Sequence, residues 1–510
     1  LQWPGLALVL RALDGLSLRR AALVGWCAGL GAHVALFTWL ATATARLGEL
    51  HPAAAALAFA AWASFASLQL ALVGALDACA RAAAPAARRV LFACAFVTAE
   101  LVWPQVIPWT IGLPQQQASS LAQVAELGGA ALLTFVVVFG ATGLDAALDL
   151  ARARPLPRRA IIDVSCAAAV LVVALSLGAW RLSVARAPAQ RSARVAIVQP
   201  GVVSNRLTAR TPREVQAALE RLAREVGAAG GVELAVFPES AAARPIIDNT
   251  PDEADVALRA EANGALADLA RVARRCGCHT LVGATAVRVE PASRKVVERR
   301  NVVLLLDAQG AVLDRYEKHA LLAVAEHLPG ETALPWLRAL VPFAGRFTAG
   351  PGPRVLRAGA LSLAPLICFE AVPGAPAREA LARGDVDLLV NATNDVWFGD
   401  GQGPHLHALA ASLRAIETRR ALLRSTTTGL SFAVLPDGTR VAETPLSQAT
   451  LRIVDVPLPD VPGARTLHAR GGHLFAPAAA LVMGVLLLAR LGSARGQRPL
   501  ANPPGHVSTS

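Results

Sequence analysis

The chain contains one tyrosine, one methionine and only 5% aromatic residues. A nucleic-acid-binding surface needs basic patches with rings among them, so this scarcity argues against reading the net charge of +12 that way. Metal-ligand patterns are missing too. Cys276 and Cys278 form a C-x-C pair, too few ligands for a zinc site. Cys27, Cys79, Cys94 and Cys166 fall in or near apolar runs, where thiols pack as small hydrophobes. The reading therefore expects neither metal nor cofactor. The one methionine is Met483 and the chain begins at Leu1, so the true N-terminus is expected to be missing from it.

Charge is scarce over long stretches, which is where the positive content of the sequence begins. Hydrophobic residues make up 54% of 510 positions, and the mean hydropathy of +0.45 is too high for an ordinary soluble protein. A bilayer crossing needs about 20 apolar residues. Runs near 21–42, 54–78, 121–148, 160–180 and 473–491 qualify; a shorter one lies near 88–104 and an incomplete one near 2–16. Arginine counts in the connecting loops alternate. Arg19 and Arg20 precede the first long run, "ATARLGELHP" has one arginine, and "RAAAPAARR" has three. "PQVIPWTIGLPQQQASS" has no charge, and "ARARPLPRR" has four arginines. By the positive-inside rule the chain leaves the 160–180 run on the non-cytoplasmic side, and Arg490, Arg495 and Arg498 return it to the cytoplasm. The expected organisation is a helical membrane bundle over 1–182, a periplasmic domain over 193–462, a last span over 472–492, and a disordered cytoplasmic tail over 493–510. Trp103, Pro108 and Trp109 fall at the outer boundary, as an interfacial belt or as substrate contacts.

The central region alternates strand-like and helical runs, the pattern of a layered α/β domain. Three polar residues stand at strand ends: Glu239 in "VFPES", Lys318 in "DRYEK" beside Tyr316, and Cys368 in "LICFE". Ligands gather at the carboxyl ends of strands in such sheets. A carboxylate, an ammonium and a thiol meeting there can deprotonate sulfur, attack a carbonyl and neutralise the oxyanion. Taken singly, each has an ordinary explanation: a surface carboxylate after proline, a solvated lysine, a buried structural cysteine.

Together, the order Glu, Lys, Cys in the contexts "PES", "EK" and "ICFE" resembles the nitrilase (carbon–nitrogen hydrolase) superfamily. "NATNDVWFG" and "RAIETRRALLRSTTTGLS", with spans on both sides, narrow the resemblance to bacterial apolipoprotein N-acyltransferases. It extends from "GWCAGLGAHVALFTWL" through "IPWTIGLPQ" and "LAQVAELGG" to the last span. The resemblance implies a nitrilase-type αββα sandwich inserted in a polytopic helical bundle of the bacterial inner membrane. It implies transfer of an acyl chain from a phospholipid to the N-terminal amine of a diacylated apolipoprotein. Glu239 would be the base, Lys318 the oxyanion partner and Cys368 the acyl carrier, with Glu326 and Glu370 in support; a monomer is expected. Phe237 and Phe369 depart from the family's usual tryptophan and tyrosine. "EKHALLAVAEHLPG" lacks its arginine–histidine and proline–phenylalanine–glycine elements, and "NRLTART" lacks its tryptophan. The alternatives are a membrane-anchored amidase, a silent scaffold, which the intact triad disfavours, and a transporter. A transporter would carry ionisable groups within its spans, and apart from Glu100 and Glu126 near the edges these spans offer little.

The topology has a direct check. A reporter fused after residue 185 should be active only outside the cytoplasm, and one fused after 495 only inside; the reverse pattern overturns the orientation.

Overall fold

Alternating burial with a period of two builds the middle of the chain into two facing sheets. In the computed structural model, which describes residues 2–48, 50–83, 87–152, 155, 157–202, 210–248, 256–290, 292–342, 344–461 and 463–496, the first sheet has strands β1 (Ser192–Gln199), β2 (Leu234–Val236), β3 (Ile246–Ile247), β4 (His279–Val289), β5 (Val296–Leu306) and β6 (Val312–Glu317). The second has β7 (Leu356–Ala358), β8 (Leu361–Ile367), β9 (Leu388–Thr393), β10 (Ala421–Thr426), β11 (Phe432–Val434) and β12 (Arg440–Val441), and β13 (Thr450–Pro457) returns to the first. The strand orders are β13-β1-β2-β4-β5-β6, with β3 beside β4, and β12-β11-β10-β9-β8-β7.

Odd residues of β1 (Val195, Ile197), with Val236, Leu281 and Val303, face Leu363, Ile367, Val390 and Leu423 of the other sheet. The even residues Ala196 and Val198 turn outward onto helices α8 (Pro212–Ala229) and α9 (Val256–Cys276). Ala364, Leu366, Leu389 and Leu422 likewise meet α10 (Gly374–Arg383) and α11 (Gln402–Thr418). The result is the αββα sandwich. β2 and β4 are parallel, and two antiparallel steps through β5 bring β6 back to their direction. Their carboxyl ends therefore share one side, which is what brings Glu239 and Lys318 together.

The membrane part comprises Gln2–Leu13, Leu18–Phe37, Trp39–Gly48, Pro52–Ala83, Arg88–Val102, Ala125–Arg152, Arg158–Ala185 and Phe475–Gly496. Among the described residues five helices are long and apolar enough to cross a bilayer. Leu18–Phe37 and Pro52–Ala83 pack backbone to backbone: a Cβ on Gly25 would lie 2.1 Å from the Leu70 carbonyl oxygen. Small residues at such crossings are the usual means of close helix contact in lipid.

Several sequence expectations change in detail. The run 21–42 is not one helix; it breaks after Phe37, where Phe37 and Trp39 turn their rings toward each other and Phe37 meets Trp62. The run 121–148 is broken at Gly129, whose φ of 67° leaves the helix and lets the Glu417 carboxylate accept from the Ala130 amide at 3.1 Å. The last helix continues through Gly496; the remaining tail, and "NRL" with the first two residues of "TART", lie outside the described residues. Helix α10 and strands β3, β7, β12 and β13 were not anticipated; β3, β7 and β12 are too short to show a period, and β13 is half-buried through most of its length.

Helix α11 joins the two parts. Its Ala408, Ala411 and Ala415 lie against the second sheet, while Leu409, Leu413 and Ile416 lie against Leu121, Val124, Leu133 and Val136 of the bundle. At its end Arg419 Nε donates to Glu126 Oε2 at 2.9 Å, and Arg181 of the neighbouring span donates to the same carboxylate at 2.7 Å. Arg186 and Gln123 hold the Asp437 turn.

A Cβ on Gly129 would sit 2.5 Å from the His468 ring, on a backbone that L-residues rarely adopt. Gly129→Ala should therefore destabilise the protein by about 1–3 kcal/mol, read as a lowered unfolding temperature in detergent. An unchanged transition would show that the break is not required.

Candidate active site

β2 and β8, which deliver Glu239 and Cys368, are fully buried, whereas β6, which delivers Lys318, is buried only at Tyr316. Glu239 follows β2 after Phe237 and Pro238, Lys318 follows β6, and Cys368 follows β8 at the start of a 3-10 turn, Cys368–Ala371. Cys368 has φ 51°, the left-handed region that non-glycine residues seldom occupy. That sharp turn lifts the thiol off the strand, toward Glu239 and Lys318, whose charges act on it.

Glu239 is 6% exposed. Its Oε1 accepts from Asn301 Nδ2 and its Oε2 from the Asn394 amide at 2.8 Å. Lys318 is 1% exposed; its Nζ donates to Glu326 at 2.7 Å and its amide to the Asn301 carbonyl at 2.9 Å. Glu326 also accepts from the Leu322 amide at 2.8 Å and from Asn301 Nδ2 at 3.3 Å. Asn301 thus ties the two carboxylates to one lysine. Glu370 lies behind the turn, with no exposed surface. It accepts from the amides of His319 (2.9 Å), Ala320 (3.0 Å) and Ile367 (2.8 Å), and from the Tyr316 hydroxyl (2.8 Å). The structure brings all five residues together, but in two layers: Glu239, Lys318 and Glu326 with the sulfur, and Glu370 under the backbone.

Burial pushes the Glu239 carboxyl up, opposed by Lys318 and reinforced by Glu326. Burial and the Glu239 charge push the Cys368 thiol up, against the pull of Lys318. Burial alone would lower the Lys318 ammonium, but the charges of Glu326, Cys368 and Glu239 raise it. A protonated thiol beside a base and a fixed cation is an arrangement suited to acyl transfer. Negative charge then appears on sulfur only as the attack proceeds. Among the described residues no group of His, Cys, Asp and Glu side chains is arranged to hold a metal ion.

Three features were missed in the sequence. Asn301 opens the buried half of β5. Asn391 Nδ2 donates to the carbonyls of Leu366 (2.9 Å) and Cys368 (3.1 Å). Arg424, with no exposed surface, donates to Asn391 and, at 2.8 Å, to Asp395, which also meets His407 Nδ1 at 2.9 Å. The signal was present: an asparagine inside "LLVNAT" and an arginine inside "ALLRST" interrupt runs that are otherwise apolar.

Two family patterns match the chain. The carbon-nitrogen hydrolase pattern covers residues 194–466, and the apolipoprotein N-acyltransferase N-terminal domain covers 1–143. An apolipoprotein N-acyltransferase of Azotobacter vinelandii is 31% identical over 463 residues, 86% of this chain and 82% of that one. The chain belongs to the apolipoprotein N-acyltransferases. A relative of that name from Geobacter metallireducens is 28% identical across 97% of this chain and 91% of its own. One from Bradyrhizobium diazoefficiens is 31% identical across 75% and 68%. A solved amidase from Nesterenkonia sp. is 23% identical, covering 52% of this chain and 90% of that one with a TM-score of 0.37, a likeness too distant to bear on function.

The helical bundle holds a cavity of its own. Phe37, Trp62, Trp103 and Trp109 line it, with Glu100 held by the Ile111 amide at 2.7 Å and Thr134 at 2.9 Å. An aromatic seam leaves it through Phe37, Trp39 and Phe398 and reaches His407, whose Nδ1 meets Asp395.

Glu370→Ala would strip four donors of their acceptor and should cost at least about 3 kcal/mol, read by denaturant unfolding, with Glu370→Gln retaining part of the loss. Burial alone would raise the Glu370 carboxyl, yet His319, Lys318 and the amides hold it below the usual carboxylate range. Its stabilisation is therefore complete above the ordinary carboxylate value and lost as pH falls through the lowered one. An alanine variant as acid-stable as wild type would refute this.

Proposed function

We propose that the chain carries an acyl group from a membrane phospholipid to the N-terminal amine of a diacylglyceryl-cysteine lipoprotein, through a thioester on Cys368. The observation that carries this reading is the buried meeting of Cys368, Glu239 and Lys318 in a sandwich packed against the bundle through α11. Glu239 takes the thiol proton as sulfur attacks the ester carbonyl, and the oxyanion forms beside Lys318. Collapse breaks the ester C–O bond, and Glu239 returns the proton to the departing lysophospholipid oxygen. The lipoprotein amine then attacks the thioester, Glu239 takes its proton, and the thiol is regenerated. Glu326 and Asn301 hold Lys318 and Glu239; Glu370 holds the backbone from which Cys368 projects.

The arginine alternation supports a bacterial inner-membrane protein with residues 193–462 in the periplasm, between a bundle over 1–182 and a closing span over 472–492, with 493–510 as its cytoplasmic tail. Such a monomer would meet both lipid-bearing substrates in the outer half of the bilayer. The rival reading is an amidase that passes the acyl group to water. The bundle of apolar helices against which the site is packed, rather than a single anchor, favours transfer between lipids.

Incubated with phospholipid alone, the purified protein should gain one acyl mass on the Cys368 peptide, removable by hydroxylamine. A diacylated lipopeptide should discharge it with ping-pong kinetics. Cys368→Ser should abolish transfer, and Glu239→Ala or Lys318→Ala should slow acylation by about 10² or more. Absence of the adduct returns Cys368 to a packing role, and discharge by water without acceptor supports the amidase.

A further inference from the structure

The helix Trp39–Gly48 places Trp39 and Arg46 seven residues apart, two turns along one face. Both meet the segment that follows β9. The Trp39 ring stands edge-on to Phe398 with centroids 5.1 Å apart. A Cβ built on Gly399 would lie 2.3 Å from Arg46 Nη1, so the guanidinium covers the Gly399 backbone where a side chain would otherwise stand.

This segment is part of the site. Its Asn394 amide holds Glu239, and its Phe398 ring lies 5.6 Å from His407, which meets Asp395 and Arg424; Arg424 holds Asn391, the donor to the Cys368 carbonyl. Arg46 is thus one residue beyond the ring that packs on His407. It is exposed, and among the described residues no carboxylate or carbonyl lies within hydrogen-bond or ion-pair distance of it. Asp400, beside Gly399, accepts from Ser447 Oγ at 2.6 Å instead.

A guanidinium presents a planar fork that matches phosphate oxygens two at a time. A phospholipid whose ester carbonyl is at the Cys368 sulfur carries its phosphate only a few bonds farther along the glycerol. Its tails can follow the aromatic seam through Trp39 and Phe37 into the cavity. We infer that Arg46 binds the phosphodiester of the acyl donor and so makes the enzyme prefer phospholipids to neutral glycerides. The inference rests on the acyl-transfer reading above and names what that site recognises. Gly399 has φ +64°, a backbone that favours glycine, and the guanidinium fills the room left beside it.

The test uses the full-length protein in mixed micelles. Dioleoyl phosphatidylethanolamine and dioleoylglycerol serve as alternative donors, and acylation of Cys368 is followed by mass. Wild type should show a lower KM for the phospholipid than for the glyceride. Arg46→Ala should raise the phospholipid KM about tenfold with kcat unchanged, and leave the glyceride KM where it was. Arg46→Lys keeps the charge without the fork and should fall between. An unchanged phospholipid KM in Arg46→Ala overturns the inference, and so does an equal rise for both donors, which marks a merely structural arginine. If wild type forms no thioester with either donor, the acyl-transfer reading fails and takes this inference with it. That outcome is distinct from the two in which wild type is acylated and only the Arg46 effect is missing.

Discussion

The site depends on one constraint: helix α11 is buried on both sides. A soluble sandwich of this kind would expose the outer face of such a helix. Here Leu409, Leu413 and Ile416 are covered by the bundle, and the alanines on the opposite face lie on the sheet. His407 near its start meets the Asp395 and Arg424 that support Asn391 under Cys368, and Glu417 near its end caps the broken span at Ala130. The same element therefore sets where the thiol stands and how the membrane helices approach it. With the apolar faces matched, the Glu126, Arg181 and Arg419 contacts fix the register rather than supply the bulk of the attraction.

Inside the site the balance of charge is as informative as the distances. Glu239, Glu326 and Glu370 converge on one lysine, and burial denies them water. Each carboxylate is spared isolation by a different means: Asn301 and the Asn394 amide for Glu239, Lys318 itself for Glu326, and a ring of amides for Glu370. The lysine stays cationic because its neighbours are acidic, and the thiol stays protonated because it is buried and because Glu239 is charged beside it. The resting enzyme is thus poised without being reactive, and a carbonyl entering beside Lys318 supplies the acceptor for charge that the surroundings otherwise resist.

Much of this was legible in the sequence because polar residues at strand ends stand out against apolar runs. Glu239, Lys318 and Cys368 could be read as a set, and the arginine loops marked the bundle. What was not legible came from contacts that no local pattern encodes. Asn301 matters because β5 passes between β4 and β6, a pairing set by tertiary structure. Arg424 and Asn391 looked like blemishes in strands until β9 and β10 paired them. The helix breaks at Thr38 and Gly129 were hidden by unbroken hydropathy: lipid-facing composition reports burial in a bilayer and says little about where a helix turns.

The broken span has a consequence for how the molecule comes apart. Because Glu417 satisfies the Ala130 amide and lies against Arg414 and His468, lifting the sandwich off the bundle would strand a carboxylate, a guanidinium and an open helix end at once. It would also bare the leucines of α11. Membrane part and catalytic part are therefore one cooperative unit, melting together, and the sandwich released alone would be a sticky, self-associating fragment rather than a miniature soluble enzyme.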